Sequence, residues 1–259
     1  MNALILAAGF GSRLADAAPS PKPLVEVAGR SLLEWSVRQA ALAGVRRAVV
    51  VTGHRAAEIE ASLPGIAART GVTLEPCRTR DWSLPNGFSV LAGARRIRGN
   101  YLLMMADHLF CAELLARLTA HMNHRAGAML AIDRDCTGPA IDPADATWVS
   151  TREDGSIAAI GKHLAKRDAV DCGAFIATPD LAHAIRAAIA GGAAGSLSDG
   201  MQHLAAQRAA VTLDVSGHWW IDVDDPAMLA LARQMAPSFL DAPAPVRAAT
   251  SAQQRRAAA

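Results

Sequence analysis

Short apolar runs that alternate with stretches of helical periodicity constrain the fold of this chain more than any other feature. The runs lie in NALILAA from residue 2, RRAVVVTG from residue 46 and YLLMMAD from residue 101. Strands that are apolar on both faces are typical of parallel sheets covered by helices on both sides. The alternation therefore predicts an α/β fold with a mostly parallel sheet flanked by helices.

Capping residues mark the helix boundaries. Ser31 and Glu34 form a capping-box pattern at the start of one helix, and Gly44 marks the end of that helix. The pair Asp225 and Pro226 is typical of an N-cap and a first helical position. Two more helices are predicted at 179–190 and 197–206.

After about residue 126, the alternation of apolar runs and helical segments gives way to shorter strand-like pieces separated by Asp, Gly and Pro. They predict a small mixed, partly antiparallel β extension within about 127–220 that covers the mouth of the sheet. We therefore expect one domain over 1–236. The remaining 237–259 are rich in Pro, Ala, Gln and Arg, a composition that predicts a disordered tail.

Composition and charge exclude several classes of protein. At 51% hydrophobic residues over 259 positions, the chain can bury a sizeable core. Its net charge is +2, and 237–259 carry three arginines against one acidic residue, so the body is neutral and no nucleic-acid partner is expected. No membrane span is expected, because no apolar stretch reaches roughly 20 residues. The four scattered cysteines indicate reduced thiols in a cytoplasmic protein.

The loop after the first apolar run carries the first chemical signal. Gly9 and Gly11 follow a strand, but the third glycine of a dinucleotide-binding loop is missing at Leu14, and no acid closes the second strand. The Walker lysine and serine are absent as well. Bare N–H groups of such a loop can line an anion site, and Arg13 and the proline-flanked Lys22 add positive charge. An ordinary turn with surface cations is the alternative.

The stretches LAAGFGSRL, at 6–14, and PKPL, at 21–24, together resemble the signature of the nucleotidyltransferase family. Members join a nucleoside triphosphate to a phosphorylated small molecule, and the resemblance implies a Rossmann-like fold of the nucleotide-diphospho-sugar transferase type. It implies that Arg13 balances charge on the departing pyrophosphate and that Lys22 steadies the α-phosphate. It assigns nucleotide contacts to Leu6, Ala7, Ala8, Gly9, Gly11 and Ser12.

Aspartates in two separate stretches are candidates for a metal site. Asp107 closes YLLMMAD at the carboxyl end of a parallel strand, where such sheets bind ligands. A carboxylate there suits Mg²⁺, although Asp107 also fits an N-cap for the following segment. In the family a second metal ligand comes from a stretch that WWIDVDDP resembles, and the alignment favours Asp222. Asp225 is better explained as the helix cap, and the role of Asp224 stays open.

The resemblance also points to residues for the second substrate. Lys162 matches the family's lysine on the acceptor phosphate, with a solvated turn lysine as the alternative. Gly173 would let the acceptor approach the backbone. Ser198 and Asp199 either contact acceptor hydroxyls or cap a helix. His108 is a minor candidate for a phosphate contact.

Asn86 and Gly87 lie at the predicted entry of a helix in LPNGFSVLAGA. The Asn86 amide offers a donor and an acceptor in one plane, which fits a pyrimidine edge of the nucleotide. Asn is also a good N-cap. Both interpretations stay open.

Several stretches, among them NGFSVLAGA, SLSDGMQHLA and WWIDVDDP, most resemble inositol-1-phosphate cytidylyltransferases and phosphocholine cytidylyltransferase-like proteins. The resemblance implies a Mg²⁺-dependent enzyme that uses CTP and releases pyrophosphate. Phosphocholine, aminoethylphosphonate and sugar-1-phosphates remain alternative acceptors.

A phosphomonoester carries about −1.5 to −2 charges near neutral pH, so it attacks without a catalytic base. A nucleotide-sensing subunit on the same fold is a rival interpretation, and a homodimer is one option for the assembly.

Overall fold

A computed structural model describes residues 1–14 and 20–240 of the chain. The strands are β1 (Asn2–Ala7), β2 (Glu26–Val27), β3 (Arg30–Ser31), β4 (Arg47–Thr52), β5 (Thr73–Arg78), β6 (Tyr101–Met105), β7 (His108–Phe110), β8 (Ala128–Asp133), β9 (Trp148–Thr151), β10 (Ile157–Gly161), β11 (Ala169–Ala177), β12 (Ala210–Asp214) and β13 (Trp220–Asp222). The α-helices are α1 (Leu32–Leu42), α2 (Ala56–Thr70), α3 (Asn86–Ala94), α4 (Ala112–Thr119), α5 (Pro179–Ala190), α6 (Leu197–Ala206) and α7 (Pro226–Phe239). Short 3-10 turns lie at Ser12–Leu14 and Lys22–Leu24.

The main sheet has nine strands, with the order β10-β9-β11-β6-β1-β4-β5, and β8 pairs with β11 and β12. Strand β1 pairs in parallel with β4 and β6, and β4 pairs in parallel with β5. Strand β11 runs antiparallel to β6, β8 and β9. The structure thus confirms the predicted α/β sheet, with a parallel part and a mixed extension built by β8 to β12.

Strand β1 is buried on both faces, as its continuous apolar sequence predicts. Ala3 and Ile5 join an apolar cluster that includes side chains of α1, α2 and α4. Leu4 and Leu6 join a second cluster with α3, α5 and α6 on the other side. Successive side chains of a strand point to opposite faces, so one strand contributes to two cores. Helices therefore cover both faces of the sheet and leave the strand ends for ligands.

The N-terminus of α1 confirms one half of the capping prediction. Ser31 Oγ accepts the Glu34 N–H at 3.2 Å. The Glu34 carboxylate does not return to Ser31 but accepts two hydrogen bonds from Arg69, at 2.9 and 2.7 Å. These bonds hold the pKa of Glu34 below its usual value, against the effect of burial. Arg69 of α2 therefore binds the Glu34 carboxylate, which a capping box would place on the Ser31 N–H.

The other predicted helices agree closely with the structure. Helices α5 and α6 have the expected bounds. Asp225 Oδ1 accepts the Met228 N–H at 2.8 Å, so Asp225 is the N-cap of α7. Helix α7 continues through Pro237 to Phe239, so the boundary expected after residue 236 falls within its last turn. The rest of the expected tail, 241–259, lies outside the described residues. Within the described part of the chain, no helix combines the length and apolarity of a membrane span.

Gly93 and Gly65 offer a matched test of how tightly the helices pack. A Cβ at Gly93 in α3 would lie 2.3 Å from Leu4 Cδ1 and 2.7 Å from Val51 Cγ2. We expect Gly93→Ala to lower the free energy of unfolding by about 1–3 kcal/mol, because overpacking forces the sheet and helix apart. The measurement is urea denaturation followed by circular dichroism.

Gly65→Ala is the control, since Gly65 also lies inside a helix. A Cβ there would meet the flexible end of Arg69 at 3.2 Å. Its free energy of unfolding should stay within about 1 kcal/mol of the parent, because alanine is the better helix former. Equal losses in the two variants would contradict the packing explanation.

Candidate active site

Two adjoining cavities open at the carboxyl edge of the parallel strands, where sheets of this kind bind ligands. The glycine-loop cavity, of about 230 Å³, is lined by the loop after β1 and by Lys22. The extension cavity, of about 270 Å³, is lined by residues after β6 and by the β extension. Arg13, Asp107 and Asp224 line both cavities. Two ligands bound side by side would meet at these three residues.

The glycine loop packs directly on the lysine that follows it. Gly11 has a φ of +64°, and a Cβ there would lie 2.7 Å from the Cβ of Lys22. Only glycine combines this backbone conformation with so close an approach. The predicted nucleotide contacts that line the glycine-loop cavity are Leu6, Ala7, Gly9, Gly11 and Ser12. Ala8 does not line this cavity, and its carbonyl accepts the His54 N–H.

Lys22 is buried in the site, with 8% of its surface exposed. Its Nζ donates to Asp107 Oδ2 at 2.7 Å, pairs with Asp224 and lies 4.0 Å from Asp222 Oδ1. Burial alone would lower the pKa of Lys22, but the three carboxylates outweigh it and raise the pKa above its usual value. The ammonium group therefore stays charged at the junction of the two cavities.

Asp107 and Asp222 are brought together by the small β7–β13 sheet, in which Asp222 pairs with His108. The N-cap of the next helix is Cys111, so the capping alternative for Asp107 is wrong. Burial would raise the pKa of Asp107, but Lys22 and His108 hold it well below its usual range. Burial raises the pKa of Asp222 to about 7, and repulsion from the Asp107 carboxylate raises it as well. The positive charges of His108 and Lys22 lower this pKa, but only in part.

The donor atoms of this cluster fit Mg²⁺. Asp222 Oδ1 is buried and accepts no hydrogen bond from any described residue. Oxygen atoms of Asp107 and Asp222 and a ring nitrogen of His108 lie within 4.8 Å of one another. Mg²⁺ prefers one or two carboxylates together with phosphate oxygens and water. Asp107 and Asp222 could therefore hold one Mg²⁺, which would give Asp222 Oδ1 a ligand bond in place of the missing hydrogen bond.

Two further acids complete the charge pattern. Asp224, whose role the sequence left open, pairs with both Arg13 and Lys22. Asp145, in the loop between β8 and β9, pairs with Lys162 and places Oδ2 at 2.7 Å from Arg13 Nη2. Burial opposes ionisation, but hydrogen bonds from Lys162 and Arg13 hold the pKa of Asp145 well below its usual range. Each candidate phosphate-binding cation is thus paired with a carboxylate.

The sequence reasoning does not single out Asp145 or Asp171. The signal for Asp145 is the segment IDPADAT, in which two acids flank a proline between strand-like pieces. Nothing local shows that this loop reaches Arg13, which is 132 positions away. Asp171 lines the extension cavity, and its Oδ1 accepts the Gly173 N–H at 2.7 Å. Burial raises the pKa of Asp171 to about 6.

The predicted acceptor residues that line the extension cavity are Lys162, Gly173, Ser198 and His108. Asp199 serves a different purpose. Its Oδ2 accepts the N–H groups of Gly195 and Ser196, at 2.9 and 2.8 Å, and Ser196 Oγ accepts the Asp199 N–H. This is a complete capping box for α6. The capping alternative is therefore correct for Asp199, and the expected acceptor contact is not needed to explain it.

Gly173 makes room for the His108 ring. It has a φ of +76°, and a Cβ there would lie 2.4 Å from His108 Cδ2. The imidazole also stacks with Trp220, at 6.3 Å between ring centroids, and its Nδ1 lies 2.9 Å from Asp107 Oδ1. Burial opposes protonation, but Asp222 and Asp107 raise the pKa of His108 to about 9. The acids therefore hold this imidazole as a buried cation.

Asn86 and Gly87 connect two helices. Asn86 Oδ1 accepts the Leu197 N–H at 2.8 Å, so it caps α6 and not its own helix α3. A Cβ at Gly87 would lie 2.2 Å from the Gly195 carbonyl oxygen, so this glycine permits close packing. Asn86 lines the extension cavity and not the glycine-loop cavity. Both residues therefore have a structural role between helices, and their contact with a pyrimidine stays a prediction.

Comparison with known proteins agrees with this geometry. A family model described as a MobA-like NTP transferase domain matches residues 3–246. The bifunctional IPC transferase and DIPP synthase of Rubrobacter xylanophilus is 34% identical over 238 residues, which is 91% of this chain and 52% of that protein. The protein of the same description from Thermococcus kodakarensis is 30% identical over 236 residues, covering 90% and 50%. The chain spans about half the length of these relatives.

Two solved structures share the fold. The inositol-1-phosphate CTP transferase from T. maritima has a TM-score of 0.79 at 21% identity, over 91% of this chain and 94% of that one. UDP-glucose pyrophosphorylase in complex with UDP-glucose has a TM-score of 0.73 at 17% identity, over 92% and 98%. At such low identity these similarities establish the architecture, a mostly parallel α/β sheet with flanking helices.

Asp145→Asn tests whether this carboxylate competes with bound phosphates. We expect it to lower the Kd for inorganic tripolyphosphate about 2- to 30-fold, because Arg13 and Lys162 would each lose an ion pair worth about 0.2–1 kcal/mol. Isothermal titration calorimetry measures the affinity.

Asp142→Asn is the matched control. Asp142 lines the same cavity from the same loop, and its Oδ1 accepts the Ala144 N–H, a bond that asparagine can keep. It removes the same charge without touching Arg13 or Lys162. An equal gain in affinity in both variants would indicate a general effect of loop charge and contradict the competition.

Proposed function

This chain belongs to the family of MobA-like NTP transferase domains, and we propose that it is a cytidylyltransferase that joins CTP to a small polyol phosphate of the inositol-1-phosphate type, with release of pyrophosphate. The observation that carries the proposal is the meeting of two cavities at Arg13, Asp107 and Asp224, beside the buried Lys22. The relatives support the choice of substrates. Two of them are IPC transferases, and a protein of the same fold is an inositol-1-phosphate CTP transferase.

The glycine-loop cavity is the proposed site of the donor nucleotide. Its loop offers backbone N–H groups around Gly9, Gly11 and Ser12, which suit phosphate oxygens. Lys22 Nζ lies at the junction of the cavities, where it can steady the α-phosphate by exchanging a carboxylate partner for a phosphate oxygen. Arg13, on the turn that follows the loop, is placed to balance the charge that develops on pyrophosphate.

The extension cavity is the proposed site of the acceptor. Lys162, which pairs with Asp145, would hold the acceptor phosphate. One of its oxygens forms the new bond to the α-phosphorus, while the bond to the bridging oxygen breaks and its electron pair leaves with pyrophosphate. A phosphomonoester with about −1.5 to −2 charges attacks without a base, so catalysis consists of positioning and charge balance.

The proposed metal is Mg²⁺, held by Asp107 and Asp222. When bound, it would neutralise charge between the two phosphates that react. The proposal includes a cytoplasmic location, which agrees with the four cysteines being free in the structure.

A panel of substrates tests the proposal. Pyrophosphate release is measured with Mg²⁺ while CTP, UTP, dTTP, GTP and ATP are crossed with inositol-1-phosphate, phosphocholine, aminoethylphosphonate and several sugar-1-phosphates. We expect release with CTP and inositol-1-phosphate above every other combination. Preference for another nucleotide or acceptor would reassign the substrate. Folded protein that releases no pyrophosphate with any pair would overturn the catalytic assignment in favour of a nucleotide-sensing role.

Arg13→Ala should reduce kcat about 10²- to 10³-fold, the cost typical of removing one preorganised donor to developing charge. The fold should be unaffected, because 45% of the Arg13 side chain is exposed. Arg95→Ala is the control, since Arg95 is an exposed arginine on the C-cap of α3. Steady-state kinetics with circular dichroism checks both variants. A kcat near the parent value for Arg13→Ala would remove this residue from the reaction.

A further inference from the structure

Three aromatic rings form an exposed cluster beside the glycine loop. The Phe10 and His54 rings meet edge to face at 4.6 Å between centroids, His54 and Trp82 lie at 5.0 Å, and Phe10 and Trp82 at 6.0 Å. Phe10 is 46% exposed and Trp82 is 43% exposed. We call these three residues the aromatic shelf. Large apolar surface left in water at one place commonly marks a site of binding.

Each ring of the shelf follows a different parallel strand. Phe10 follows β1, His54 follows β4 and Trp82 follows β5, and these strands are neighbours in the order β1-β4-β5. Their carboxyl ends meet at one edge of the sheet, which is where such sheets bind ligands. The shelf therefore lies on the binding edge and not on an unrelated face.

The shelf is tied to the glycine loop by close backbone contacts. The His54 N–H donates to the Ala8 carbonyl at 3.0 Å. A Cβ at Gly53 would lie 2.6 Å from the Cβ of Trp82 and 2.8 Å from the Ala8 carbonyl oxygen. The loops after β1, β4 and β5 therefore pack on one another without space for a larger residue at position 53. A ligand held by the glycine loop would find the rings in a fixed place.

We propose that the aromatic shelf is the platform on which the base of the donor nucleotide stacks. This inference rests on the proposed function. Phe10 lies between Gly9 and Gly11, which line the cavity assigned to the phosphates. Asp107 follows β6, on one side of β1, whereas His54 and Trp82 follow β4 and β5 on the other side. A nucleotide whose phosphates lie toward Asp107 therefore directs its base toward the shelf.

Stacking suits this surface because every nucleobase has an aromatic face. Contact with Phe10 and Trp82 would remove exposed apolar surface from water as well. Since stacking tolerates all bases, the shelf contributes affinity for the nucleotide and does not select cytosine.

Two ligands separate base stacking from phosphate binding. CTP carries a base, and inorganic tripolyphosphate carries only the phosphates. We expect Phe10→Leu and Trp82→Leu each to raise the Kd for CTP about 5- to 100-fold, the range that follows from losing one base–aromatic stack. The Kd for tripolyphosphate should stay within about twofold, because stacking does not involve phosphates. In kinetics, KM for CTP should rise while kcat changes little.

Leu42→Ala serves as the control, because Leu42 is an exposed apolar residue at the end of α1. It should leave both Kd values unchanged. CTP should also quench the fluorescence of Trp82, which is exposed whereas the other tryptophans are buried or half-buried. Trp82→Phe keeps an aromatic ring, so it should retain most of the CTP affinity while the quenching disappears. This variant supplies the test if Trp82→Leu fails to fold.

Failure of the shelf and failure of the proposed function give different results. If the parent protein neither binds CTP nor releases pyrophosphate, the proposed function itself is overturned. If the parent binds CTP and both leucine variants bind it equally well, the platform is overturned. A parallel loss of CTP and tripolyphosphate binding would also overturn it, because the rings would then act only by supporting the glycine loop.

Discussion

A buried ammonium group joins four separate parts of the chain at the centre of the site. Lys22 Nζ contacts Asp107 after β6 and Asp224 after β13, and the stem of Lys22 packs against Gly11 of the glycine loop. A buried charge without partners costs several kcal/mol, so Lys22 and its carboxylates must assemble together. This one ammonium group lies where the end of the parallel sheet, the glycine loop and the β7–β13 pair meet. Asp222 lies 4.0 Å from it.

The same charges prepare the site for polyanions. Asp224 pairs with Arg13 and Lys22, and Asp145 pairs with Arg13 and Lys162. Phosphate groups can replace carboxylates at these cations without a large rearrangement, because the cations are already held in place. Preorganised charge of this kind is the main source of catalysis in transfers that need no covalent chemistry from the protein. The aromatic shelf would extend this rigid surface from the phosphates to the base.

The sequence was sufficient to single out residues that belong to a local pattern. The glycine loop, Lys22 and Asp107 are readable because strand ends and turns position them within a few residues. It was insufficient where a distant partner decided the role. Asn86 carries a side chain that suits either a ligand or a helix cap, and only the approach of α3 to α6 shows that its oxygen accepts the Leu197 N–H.

The sequence by itself determined the α/β sheet, the order of its helices and the presence of a phosphate-type loop, because apolar periodicity and capping are local properties. The tertiary structure alone decided which charges share a site. Asp145 reaches Arg13 across 132 positions, and Phe10, His54 and Trp82 become one surface because β1, β4 and β5 are adjacent in the sheet. Such contacts depend on how the strands are ordered in space, and strand order is a property of the whole chain's packing and not of any one segment.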